Sequence, residues 1–155
     1  MRIAFDLDGT LIPGQVFFEL EPVPAGLFAR WVSREPLRKG TVRLFRALRN
    51  LGHDVWICTT SFRKPLTTRL LFWGYGAPVA GVINQDMHAK RMAELGEAYK
   101  TCTKYPPAFG VDVLVDDSEA VLIEARRYRF SVVLVKPNDP DWTGMVAAYL
   151  GVRLP

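Results

Sequence analysis

Five short apolar segments, at residues 2–5, 54–58, 80–83, 112–115 and 131–135, set the limits on what this chain can fold into. Most are dense in Val and Ile instead of alternating apolar with polar, the pattern of strands covered on both faces. Helical patterns separate them. In 41–51, Val42, Leu44, Phe45, Leu48 and Leu51 make an apolar stripe while the arginines take other faces. Gly52 then stands where such a helix would stop. A second helix is expected over 64–73, with Pro65 in its first turn and Gly74 after it. The 86–99 stretch reads as a polar, exposed helix, and 119–128 as a helix capped by Ser118. Asn138 or Asp139 could cap a last helix that has Pro140 near its start. Strands alternating with helices predict an α/β fold, a parallel sheet covered on both sides.

At 155 residues and 49% hydrophobic content the chain suits one domain with a real core. No repeat or long linker divides it, so 1–155 is expected to be a single domain. The odd part is 13–39, punctuated by Pro13, Pro22, Pro24 and Pro36, where only 25–33 looks helical. A hairpin or flap near the end of the first strand is expected there. No apolar run is long enough to cross a bilayer, and Asp6 and Asp8 fall where the apolar core of a signal peptide would lie. A cytoplasmic protein is the expectation, with Cys58 and Cys102 as free thiols and no zinc spacing.

The net charge is +4, and it is unevenly spread. Arg34, Arg38, Lys39, Arg43, Arg46 and Arg49 crowd one stretch, opposed only by Glu35. Such a patch could attract phosphate-bearing ligands, nucleic acid among them, but it lacks the interleaved aromatics of a single-strand platform. A solvated helix face is the plainer expectation.

The chemistry concentrates where the strands end. "MRIAFDLDGTLI" sets Asp6 and Asp8 directly after an apolar run, and Gly9 permits a sharp exit. Thr59, Thr60 and Ser61 follow the second segment, and Asp116 and Asp117 follow the fourth. Ligands of an open parallel sheet gather beyond the carboxyl ends of its strands, so these residues would converge on one edge. Carboxylates brought together there repel one another unless a hard divalent cation and a lysine supply positive charge. For Thr59, capping of the next helix competes with phosphate contact, and Thr60 or Ser61 could share the role. Asp117 reads either as an outer metal ligand or as the N-terminal charge of the following helix. His53 and His88 read as ordinary polar positions, Trp56, Phe72 and Trp73 as core, and Cys58 as inert.

FDLDGT, TTS and VDDS, in this order, resemble the signature motifs of the haloacid dehalogenase (HAD) superfamily, and the resemblance runs from Asp6 to Asp117 with the fifth strand beyond. It implies a three-layer Rossmann-like HAD fold with a five-stranded parallel sheet in the order 5-4-1-2-3. It also implies a Mg²⁺-dependent phosphomonoester hydrolase working through an aspartyl-phosphate. Asp6 matches the family's nucleophile. Asp8 matches its general acid/base, whose main-chain oxygen also ligates Mg²⁺. Thr59 matches the hydroxyl that holds the phosphoryl group, Asp116 the acidic metal ligand and Asp117 the adjacent carboxylate. The family's phosphate-binding lysine is assigned to Lys104, twelve residues before Asp116, with Lys100 and Lys90 as alternatives.

Neither gap between motifs has room for a full cap domain, so the capless type is expected. An open site suits a bulky or polyanionic phosphorylated substrate; alternatively, a neighbouring subunit of a homo-oligomer could act as the lid. A reading of a different class is a non-catalytic phosphate-binding or regulatory module on the same scaffold.

Overall fold

The computed structural model describes residues 1–32 and 34–154. Five parallel strands, β1 (Arg2–Phe5), β2 (Asp54–Cys58), β3 (Gly81–Ile83), β4 (Val113–Asp116) and β5 (Ser131–Leu134), form one sheet. Its order is β3-β2-β1-β4-β5, which read from the other edge is 5-4-1-2-3. β1 is central, with Ala4 in register with Trp56 on one side and Leu114 on the other.

The strands are apolar through their middles because each face has its own core. Ile3, Phe5, Val55, Ile57, Val113 and Val115 point into a large cluster with Leu44, Phe45 and Leu48 of α2 (Thr41–Asn50). Leu71 and Phe72 of α3 (Pro65–Gly74), and Trp142 and Val146 of α6 (Trp142–Leu150), complete it. The alternate residues Ala4, Cys58, Ile83 and Leu114 face a smaller cluster closed by Val111 and by Val121 of α5 (Glu119–Tyr128). Burying both faces in this way is the chief source of stability for such a sheet.

Several local expectations are corrected. The helix expected over 86–99 is α4 (Gln85–Leu95); it stops at Gly96, whose φ of 98° suits glycine, and a 3₁₀ turn follows at Glu97–Tyr99. Its cap is Asn84, whose side chain accepts from Met87 N–H. α6 is preceded by Asp141, neither Asn138 nor Asp139, although the Asp139 carboxylate accepts from Asp141 N–H. Ser118 does stand at the α5 N-cap, but its side chain makes no capping bond. Trp73 is 53% exposed and lies outside the core, unlike Phe72.

In 13–39, residues 19–21 pair with 37–39 through Glu21 N–H to Leu37 O and Lys39 N–H to Glu19 O. This loop carries the short helix α1 (Leu27–Val32), which buries none of its own residues and packs on α3, with Phe28 and Trp73 ring centroids 5.7 Å apart. Ser33, the end of the expected helical stretch, lies outside the described residues. Among the described residues no helix is long and apolar enough to cross a membrane.

Candidate active site

Asp6 leaves the end of β1 with its N–H still bonded to Val115 O of β4, which fixes it beside Asp116. The tight turn from Leu7 to Ile12 follows, closed by Gly9 N–H to Ile12 O. Gly9 has φ 89°, and a Cβ there would meet Asp117 Oδ2 at 2.8 Å, so only glycine lets the turn pass so close to that carboxylate. Asp117 also accepts from Thr10 Oγ1 at 2.9 Å, and Asp116 Oδ1 accepts from Ser118 N–H.

Lys104 completes the group. Its Nζ donates to Asp6 Oδ1 at 2.5 Å and to Asp116 Oδ2 at 2.7 Å, and all three residues are buried. Lys100 instead pairs with Glu97 at the surface, and Lys90 is exposed on α4. The approach of Lys104 is short because its segment is pinned from two sides and turns at once into a 3₁₀ turn at Pro106–Phe109. Thr103 N–H donates to the Glu124 carboxylate of α5, and Tyr105 N–H donates to Nε2 of His88 on α4. His88 is thus an acceptor at Nε2, and burial lowers its pKa, which favours the neutral ring. Its role is to hold the backbone that carries Lys104.

One ammonium serves two buried carboxylates, which leaves the trio net negative. Burial pushes the Asp6 carboxyl up to about 6; Lys104 opposes this and the neighbouring Asp116 adds to it. Burial works against the Lys104 ammonium, but Asp6 and Asp116 outweigh it and hold it above its usual range. Asp6, Asp116 and Asp117 each present an oxygen within 4.8 Å of the others. All are hard oxygen donors, and together they carry more negative charge than Lys104 offsets, a set that fits a divalent cation such as Mg²⁺.

Asp8 is set apart from this cluster. Its half-exposed carboxylate meets Arg63 Nη2 at 3.2 Å and Thr59 Oγ1 at 3.4 Å. Thr59, at the end of β2, is buried, and its hydroxyl accepts from Ser61 N–H while lying 3.1 Å from Ser61 Oγ. It therefore organises its own loop as well as facing the site. Arg63 was not singled out from the sequence; it also pairs with Glu35 of the 13–39 loop and so ties that loop to Asp8. Its position four residues beyond Thr59 is the only local signal for it.

The basic patch divides. Arg38 is no part of a solvated face: it is 2% exposed, and its Nη2 donates to the carbonyls of Lys136, Pro137 and Asp139. It lies between the Phe18 and Trp142 rings and lines a cleft of about 1040 Å³ beside α2, which none of the acidic site residues, Thr59 or Lys104 lines. Cys58 and Cys102 are free and buried, and burial pushes both thiols up to about 12. No protein-family model matches this chain, and no curated protein matches it.

Proposed function

We propose that this chain is a capless HAD-type, Mg²⁺-dependent phosphomonoester hydrolase. The observation that carries the reading is the division of labour among its carboxylates: Asp6 is held by a buried lysine beside Asp116, while Asp8 stands apart and partly open to solvent. A nucleophile needs to be anchored and charged, and a proton carrier needs access to the leaving group and to water.

On this reading the Asp6 carboxylate attacks phosphorus, the bond to the leaving oxygen breaks, and an aspartyl-phosphate forms. Asp8 gives its proton to that oxygen, then takes one from the water that hydrolyses the acyl phosphate. Lys104 offsets negative charge on the carboxylates and the arriving phosphoryl group, and the Thr59 hydroxyl offers it a hydrogen bond. Mg²⁺, held by Asp6, Asp116 and Asp117 with the main-chain oxygen of Asp8, would supply the remaining positive charge.

The test is a panel of phosphomonoesters with and without Mg²⁺. Turnover should require the metal, and Asp6→Asn should abolish it while the circular dichroism of the fold is retained. Full activity in that variant would overturn the assignment. Beryllofluoride with Mg²⁺, a mimic of the aspartyl-phosphate, should raise the melting temperature. A phosphate ligand that binds with no turnover and no such response would favour the non-catalytic module.

A further inference from the structure

The proton carried by Asp8 must reach the leaving oxygen directly, so the leaving group begins within hydrogen-bond reach of that carboxylate. A concavity adjoins that point. Arg63, which touches Asp8, also lines a groove of about 400 Å³ between α1 and α3. Leu7, Trp31 and Leu71 line it as well; Arg34 and Lys64 add positive charge and Glu35 a carboxylate.

The charges in this groove are not equally free. Arg63 is neutralised by Asp8 and Glu35. Among the described residues Arg34 bonds the Trp31 carbonyl and rests over that residue's ring, with its guanidinium carbon 5.6 Å from the centroid. No ion pair joins Arg34 or Lys64 to an acidic group among the described residues. The groove therefore combines an apolar, aromatic wall with two cations not matched by carboxylates. Trp31 is 61% exposed, which is a large apolar area to leave to water unless something covers it. A pocket of this size, mostly apolar with a few polar anchors, has the character of a small-ligand site.

We propose that this groove receives the leaving group, and that the substrate is a phosphomonoester whose leaving group is aromatic or apolar and carries an acidic group. The inference rests on the phosphatase reading, since Asp8 is what locates the leaving group. The ring packs against Trp31 and Leu71, and the acidic group lies between Arg34 and Lys64. Arg63 closes the end nearest Asp8 and positions its carboxylate.

A matched pair of substrates tests it: 4-carboxyphenyl phosphate and 4-carbamoylphenyl phosphate, similar in shape and differing in charge. With Mg²⁺, the charged ester should have a kcat/KM about fivefold higher, the upper range for a solvent-accessible ion contact. Lys64→Gln should reduce the preference, the double variant Arg34→Gln/Lys64→Gln should erase it, and Trp31→Ala should lower kcat/KM for both esters. Arg126→Gln, at an exposed position of α5 against the other face of the sheet, should leave the preference intact. Equal turnover of the two esters by the native protein, or a preference that survives the loss of both Arg34 and Lys64, overturns the groove assignment and leaves the phosphatase reading standing. If neither these esters nor any other phosphomonoester is hydrolysed, the phosphatase reading falls and the groove assignment falls with it.

Discussion

Replacing Lys104 with methionine should make the stability of this protein steeply dependent on pH. Methionine fills most of the volume of the lysine stem, so packing is not the main loss. What disappears is the ammonium 2.5 Å from Asp6 Oδ1 and 2.7 Å from Asp116 Oδ2. Those carboxylates are 5% and 1% exposed, so water cannot take its place. Removing one partner from a buried ionic group costs about 3–5 kcal/mol, a large part of the roughly 5–15 kcal/mol that holds a domain folded. Protonation gives a partial escape. Burial already pushes native Asp6 up to about 6 with Lys104 opposing it, and without Lys104 it rises further. A folded carboxyl with a raised pKa keeps a proton that the unfolded chain has released. Stability is then fully present below the unfolded pKa and falls as pH rises, by about 1.4 kcal/mol per pH unit. In the native protein this window runs from 3.8 to about 6; in the variant it extends upward through neutrality. Urea unfolding in EDTA should show the variant about 3–5 kcal/mol less stable than native near pH 8, and less than half of that near pH 5. An equal gap at both pH values, or a gap under about 1 kcal/mol near pH 8, would refute the account of the buried trio.

Other perturbations test the framework around the site. Arg38→Met leaves the carbonyls of Lys136, Pro137 and Asp139 without their donor and should cost about 3 kcal/mol by urea unfolding; a cost near zero would mean that Arg38 is dispensable to the 136–139 loop. Gly81→Ala places a Cβ 2.5–2.6 Å from three atoms of the Trp56 ring and should cost about 1–3 kcal/mol, read as a lower melting temperature. Cys58 and Cys102, buried and with pKa values near 12, should be silent to a thiol reagent in the native state and both react in denaturant; rapid native labelling of either contradicts their burial.

Sequence alone determined the kinds of element and the strand ends at which the carboxylates gather. Val- and Ile-dense segments have no solvated face to offer, so they could only become strands inside a two-sided sheet, and β1, β2, β4 and β5 lie within a residue of their expected bounds. Asp6 and Asp8 after β1, and Asp116 at the end of β4, were legible because carboxylates directly after buried strands have few structural uses. Tertiary structure decided what depends on partners far along the chain. The family resemblance favours Lys104 with Lys100 and Lys90 as alternatives; Lys104 reaches Asp6, 98 residues away, because Glu124 and His88 hold its backbone in place. Arg38 looked like one more charge on a basic face, but its donors find carbonyls about a hundred residues later, and local pattern carries no trace of such bonds. Arg63 likewise acquires its meaning only when the 13–39 loop folds Glu35 against it beside Asp8. Periodicity records which side of an element is apolar; it does not record which distant polar group will meet a given charge, and that meeting is what builds the site.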